Sequence, residues 1–398
     1  MSENDMELLN NGSSKDTLGV KSKRVTPTEH GIGGFDFKDF FSVFDGGLSI
    51  FGNMPIKDKA KNMTTIADIS FNLLEDSGIP THYNASDGDT YIDVDLAQVI
   101  KPGIDIPGNI EPETKNYVVP LEIIFRDYLH PNASLLKKIH VAGDDVTAEH
   151  HYSKYDLTQM PVGGERLGTT ILNYTTKFEE PEDRDLTRKD ALELSGLSEE
   201  EMIVAEKLVS DACKVISDYA EQKCDLIHTD GKIELIKDID RTLRIGDVVG
   251  TPDEDRFLAT VNKNLVTTYV EKYVQELEDG STDIGIPVSQ ELIEKLKSIG
   301  QTDDEIYVDI SKEYVRNWFE DEGWKAKAKL AKKEYGTDWR EKVEPAPIIN
   351  DGTMDLISRM YSEFARAWEN GTKYNEELAA ELYVVEQIHK LGIDNPFF

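Results

Sequence analysis

Cysteine is almost missing from this 398-residue chain, which carries only Cys213 and Cys224. They lie in one helix-like stretch, which points to no disulfide framework or cysteine-based zinc site and fits a reducing cytosol. Long hydrophobic runs are missing too. The stretch from Val118 to Phe125 is among the longest, and Pro120 and Glu122 interrupt it, well short of the ~18 residues a membrane span needs. Positive charge is scarce: 44 Lys+Arg face 77 Asp+Glu, for a formal charge of −33. A phosphate backbone or an anionic membrane surface would be repelled, so nucleic acid and membrane are not expected partners. The first residues have no basic start and no apolar core, so no secretory signal is read there. The 8 histidines do not cluster. His150 and His151 fall on opposite faces of a strand-like segment, and no imidazole metal site or nucleophile triad emerges.

Hydrophobic residues make up 39% of the chain and aromatics 9%, enough for a packed core and against global disorder. Length suggests about two to three domains at roughly 150 residues each. Residues 1–28 are polar and without period, and read as a loose tail, with at most a short ordered piece near Met6. Residues 29–117 read as a β-rich N-terminal part, 118–257 as a central mixed α/β part, and 258–398 as a helical C-terminal region. Met63, Ile66, Phe71 and Leu74 mark a helical face that stops at Gly78. Ser198 and Glu201 form a capping-box pattern ahead of the stripe Met202, Ala205, Val209, Ala212 and Ile216. Residues 226–249 read as two strands around a turn. A helical stripe is read from Leu258 through Val261, Leu265 and Tyr269 to Leu277, and a helix candidate spans 289–300. Strands first and helices last indicate α+β rather than a doubly wound sheet.

Several segments combine charge with order. Gly31-Ile32-Gly33-Gly34 reads as a glycine turn whose backbone N–H groups could approach a phosphate, or as a plain hairpin turn. It is neither a Walker loop nor a complete dinucleotide fingerprint. In Asp230-Gly231-Lys232-Ile233-Glu234 a strand would put Asp230, Lys232 and Glu234 on one face. Two carboxylates around an ammonium can be a solvated strand face, or can hold magnesium–phosphate and an anionic substrate. Asp247 follows on the next strand, where it can face Glu234 across a hairpin. Arg256 ends the turn Thr251-Pro252-Asp253-Glu254-Asp255, and its planar fork suits a phosphate. Glu122 and Arg126 interrupt an apolar strand ahead of Ser134, and need either each other or a ligand. Lys59, Lys177 and the pair Lys312/Arg316, one helical turn apart, are further basic candidates.

Taken in order, these segments resemble SAICAR synthetase (phosphoribosylaminoimidazole-succinocarboxamide synthase), most closely its longer archaeal-type form. The resemblance rests on Gly31–Phe35, Phe41-Ser42-Val43-Phe44-Asp45, Lys59 and Leu73–Tyr83. It continues through Pro120–Arg126 with Ser134, Asp-x-Lys-x-Glu at 230–234, Asp247 to Arg256, and Ser311-Lys312 to Arg316. It implies an α+β, ATP-grasp-like two-lobe fold with antiparallel sheets and a helical C-terminal region, in which 29–117 would be the nucleotide-binding lobe, 118–257 the catalytic domain, and 258–308 an insertion in the C-terminal region 258–398. It also implies an ATP-dependent carbon–nitrogen ligase of purine biosynthesis that joins L-aspartate to the carboxylate of CAIR, a carboxylated aminoimidazole ribonucleotide, through an acyl phosphate. By this resemblance Gly31, Gly33, Gly34 and Lys177 would bind ATP, and Glu234 and Asp247 would hold Mg2+. Asp230, Lys232 and Lys59 would be catalytic. Asp45, Arg126, Ser134, Arg256 and Arg316 would bind substrate. The bacterial glycine loop carries lysines where Ile32 and Gly34 stand here, so lysine help to the phosphates would have to come from elsewhere or be absent. A kinase-like phosphotransferase and a non-catalytic nucleotide-binding paralogue on the same scaffold are the alternatives. A homo-oligomer stays open.

Overall fold

A computed structural model describes residues 5–129, 165–280 and 288–393; Ser134 and the His150–His151 pair lie outside them. Two antiparallel sheets organise the described residues. The first sheet contains β1 (Met6–Asn11), β2 (Lys15–Val20), β3 (Gly31–Phe37), β4 (Tyr83–Ser86) and β5 (Tyr91–Leu96), in the order β1-β2-β3-β5-β4. Helix α1 (Gly47–Phe51) leads to α2 (Lys59–Asp76), which turns Met63, Ile66, Phe71 and Leu74 into the core. Spacings of three, five and three keep these four residues on one helical face, and that face is the part the sequence already displays.

Two readings change here. The stretch read as a loose tail carries β1 and β2, paired from Met6↔Val20 to Asn11↔Asp16. Its polar composition hides a hairpin whose outer strand buries little apolar area. Gly31, Gly33 and Gly34 are not a turn but the start of β3, hydrogen-bonded to β2 on one side and β5 on the other. Glycine is required by close approach: a Cβ on Gly34 would stand 1.9 Å from the Ile92 carbonyl oxygen, and one on Gly33 2.1 Å from that of Leu18. The backbone there is engaged in the ladder rather than open to a phosphate.

The second sheet runs β13-β12-β10-β7-β8-β9. Its strands are β7 (Leu121–Leu129), β8 (Glu165–Thr176), β9 (Asp185–Leu186), β10 (Leu226–Lys237), β12 (Asp255–Asn262) and β13 (Glu305–Asp309). β6 (Tyr117–Val118) and β11 (Leu243–Gly246) pair with the far half of β10. Helix α3 (Arg188–Ser195) and helix α4 (Glu199–Tyr219) cover this sheet. The Ser198–Glu201 capping box is present in full, each side chain bonded to the other's backbone N–H.

The stripe read as one helix from Leu258 divides at Asn262. Leu258 and Val261 belong to β12, clamped between β10 and β13, and α5 (Lys263–Glu278) starts only after the Asn262 cap. Apolar residues three apart fit a strand buried on both faces as well as a helix, and sheet pairing decided between them. Helices α6 (Gln290–Ile299), α7 (Lys312–Asp321), α8 (Trp324–Tyr335), α9 (Trp339–Lys342), α10 (Asp351–Asn370) and α11 (Glu376–Lys390) complete the chain. α10 packs along α2, and α11 packs on α5 and β12. Among the described residues, no helix is long and apolar enough to cross a membrane.

Candidate active site

Strand β10 is the axis of the site because its register fixes which charges meet. Asp230 lies opposite Arg126 of β7 on one side and Arg256 of β12 on the other. Arg256 donates from Nε to Asp230 Oδ1 at 2.6 Å, and its Nη2 donates to the second oxygen. Arg126 Nε stands 3.7 Å from Asp230, and its Nη1 donates to Asn173. Burial alone would weaken the Arg256 charge, but Asp230 and then Glu313 more than restore it, so the guanidinium stays firmly protonated. Two guanidinium forks around one buried carboxylate leave a net positive charge that suits an anion.

Two residues along, on the same face, Lys232 reaches Glu122 at 3.0 Å, Glu234 at 3.0 Å and Glu254 at 3.3 Å. Lys177, from the end of β8, pairs with the other oxygen of Glu234. Lys15, at the start of β2, pairs with Asp247 at 2.7 Å and lies 3.8 Å from Glu254. Three ammonium groups thus alternate with four carboxylates in a continuous chain. Burial would raise the Glu234 and Glu254 carboxyls, but the lysines win: Glu234 is held far below the usual carboxylate range and Glu254 is brought down to about 2. Lys232 is likewise raised well above its ordinary value, since Glu234, Glu254 and Glu122 overcome its desolvation. Asp247 adopts φ 55°, in the left-handed region that aspartate tolerates better than most residues. His82 Nε2 lies 3.0 Å from its carbonyl oxygen.

A cleft of about 670 Å³ opens beside these groups. Arg126, Asp230, Lys232, Glu254, Lys312 and Arg316 contribute to its walls. Ser311 caps α7, with its side chain accepting from the Glu313 N–H, and so sets Lys312 and Arg316 one turn apart toward the cleft.

The structure therefore brings together Arg126, Lys177, Asp230, Lys232, Glu234, Asp247, Arg256 and Arg316. Five of the residues named from sequence stand elsewhere. Lys59 is wholly buried on α2, 2.6 Å from Asp253 behind the cleft wall. Asp45 sits at the rim, more than half exposed and paired with Lys332 of α8. Gly31–Gly34 lie within the first sheet. The sequence reading missed Lys15. It stands at the end of Gly12-Ser13-Ser14-Lys15, where the connection from β1 enters β2. A glycine–serine turn ending in lysine between two short alternating stretches was the available signal. Phe44, which also lines the cleft, carries the Lys325 ammonium 5.4 Å from its ring centroid.

Among the described residues, no group of three or more His, Cys, Asp or Glu side chains is placed to hold a metal by itself. Asp247 does not sit on a strand as expected: β11 ends at Gly246, which pairs with Glu234, and Asp247 is the next residue, turned out by its positive φ, so the two carboxylates offer hard oxygen donors from adjoining segments. That fits a cation that takes one or two protein carboxylates and completes its shell with water and phosphate.

Comparison with known proteins supplies independent findings. Residues 21–276 match the family model described as SAICAR synthetase. A provisionally named phosphoribosylaminoimidazole-succinocarboxamide synthase of Archaeoglobus fulgidus is 30% identical over 368 residues, covering 89% of this chain and 92% of that protein. The phosphoribosylaminoimidazole-succinocarboxamide synthase of Thermoplasma volcanium is 29% identical over 312 residues, covering 74% and 96%. A solved structure titled SAICAR synthetase (Type-2) in complex with ADP aligns at a TM-score of 0.45 and 22% identity, over 63% of this chain and 83% of that one.

Proposed function

The chain belongs to the SAICAR synthetase family, and from that membership we propose how its cleft performs the family's reaction. The reaction is ligation of L-aspartate to the carboxylate of CAIR, with ATP converted to ADP and phosphate, in purine biosynthesis. A carboxylate is a poor acyl donor. In our reading a carboxylate oxygen of CAIR attacks the γ-phosphorus of ATP, ADP leaves, and the acyl phosphate forms. The aspartate amine, as the free base, then attacks the acyl carbon, and inorganic phosphate departs with the C–O bonding pair. Both steps need anions held in line and phosphoryl charge neutralised, more than they need a protein nucleophile.

The observation that carries the reading is the adjacency of two charge groups on β10. Arg126 and Arg256 flank Asp230, and Lys232 with Glu234 and Glu254 follows on the same face. We assign the arginine pair, with Ser134, to the ribose 5′-phosphate, and Arg316 to the remainder of CAIR or to aspartate. Lys15, Lys177 and Lys232 fall to the phosphates of ATP, where incoming phosphoryl oxygens would replace carboxylates as their partners. Glu234 and Asp247 would hold Mg2+, which when bound neutralises phosphate charge. Asp45 serves from the rim. We place the enzyme in the cytoplasm, where its small-molecule substrates are made. The phosphotransferase alternative is not favoured, because it gives the arginine pair no task.

A coupled ADP-release assay tests this reading. ADP release is expected only with ATP, CAIR and aspartate together, or as at most one equivalent per site when aspartate is withheld. Continuous release without aspartate would refute the ligase chemistry.

A further inference from the structure

The turn from Thr251 to Arg256 joins the two halves of the site. Glu254 points one way, to Lys232 at 3.3 Å and Lys15 at 3.8 Å. Arg256 points the other way, to Asp230. Asp253, the residue just before Glu254, faces neither cation group. Its Oδ2 accepts from Lys59 Nζ at 2.6 Å, and its Oδ1 accepts from Tyr361 Oη at 2.7 Å. Its carbonyl oxygen accepts from Lys312 Nζ at 3.3 Å, and the preceding Pro252 carbonyl accepts from the Lys312 N–H at 2.8 Å. Lys59 and Tyr361 are wholly buried, and the Lys59 ammonium lies 5.4 Å from the Tyr361 ring centroid. The turn is thus tied to α2 and to α10 through one carboxylate, and to α7 through its backbone. Tyr361 lies on α10, beyond the residues 21–276 that the family model matches.

We propose that Tyr361 is a positioning residue: by holding Asp253 it sets the turn so that Glu254 and Arg256 face their two subsites at once. The inference rests on the ligase reading given above. The physical reason is that a buried carboxylate beside one ammonium still needs its second oxygen satisfied. Without the tyrosine hydroxyl, Asp253 gains by turning toward Lys312 or toward water in the cleft, and the turn that follows it, Glu254 first and then Arg256, shifts with it. Burial and the Asp253 charge both disfavour ionised Tyr361, so its hydroxyl is a proton donor at all working pH values. A mutation 108 positions away in sequence would then act on both phosphate-facing groups without touching a substrate.

The test is Tyr361→Phe, which deletes one oxygen and keeps the ring. Tyr219→Phe is its control: that hydroxyl donates to a backbone carbonyl, of Trp368, at 2.6 Å, away from the cleft. Steady-state constants for ATP, CAIR and aspartate are measured for both variants with thermal melts. Tyr361→Phe is expected to lower kcat/KM for CAIR at least ten-fold and to raise the KM of ATP several-fold, while Tyr219→Phe loses only melting temperature. Constants for Tyr361→Phe within two-fold of wild type would overturn the proposal and reduce the tyrosine to a packing role. An inactive wild-type enzyme would overturn the ligase reading itself, whereas an active wild type with an unaffected variant overturns this inference alone.

Discussion

Replacing Lys232 with methionine keeps most of the aliphatic stem and removes one charge from among three carboxylates. At 3.0 Å and an effective dielectric of about 20, each of the two closer pairs is worth ~5–6 kcal/mol of Coulomb energy before desolvation is subtracted. Removing one partner of a fully buried pair costs about 3–5 kcal/mol. The Lys232 side chain is 27% exposed, so water screens part of that, and about 2–3 kcal/mol is the expected loss of stability. A protein of about 5–15 kcal/mol total stability survives it folded. Turnover should suffer more. Losing a preorganised cation at a transferring phosphoryl group costs about 10²–10³ in rate, and Lys15 and Lys177 cannot reach its position without abandoning Asp247 and Glu234. The assay is coupled ADP release at saturating substrates, with circular dichroism and a denaturant titration on the same preparation. A turnover within ten-fold of wild type, in a variant with the expected stability loss, would refute the assignment of Lys232 to the phosphoryl group. It would leave the lysine a structural counter-ion.

Three further outcomes follow from the geometry. Arg256→Lys keeps the charge but loses the two-point contact with Asp230, so KM for CAIR should rise roughly ten- to hundred-fold while calorimetric ATP affinity is unchanged; a parallel loss of ATP binding would merge the two subsites. Gly34→Ala puts a methyl 1.9 Å from a backbone oxygen and should cost about 3 kcal/mol in a denaturant titration, and a loss under ~0.5 kcal/mol would contradict the sheet packing described for β3. Glu254 ionises at about 2 in the folded chain against an ordinary 4.5, so its pairing stabilises fully above pH 4.5 and the contribution disappears as pH falls toward 2. Denaturant midpoints measured across that window should drop in the wild type and drop less in Glu254→Gln; equal slopes would remove Glu254 from the acid response.

Local and contiguous features were legible without coordinates. The capping box at Ser198, the apolar face of α2 and the alternation that aligns Asp230, Lys232 and Glu234 depend only on helix or strand period, which a linear sequence displays. The family resemblance was legible for the same reason, since its motifs are short and run in the order of the chain. Tertiary structure decided everything that depends on register or on distant partners. That Asp230 faces Arg126 and Arg256 together follows from two strand pairings, neither written in any one segment. Lys15 enters the site because a polar hairpin, too short of apolar residues to announce itself, brings its ammonium to Asp247 and Glu254. Lys59 leaves the cleft wall because Asp253, 194 positions later, offers its ammonium a buried partner. Charge sign can be read from composition, but the energy of a charge is set by what lies within a few ångströms of it, and only the folded chain determines that.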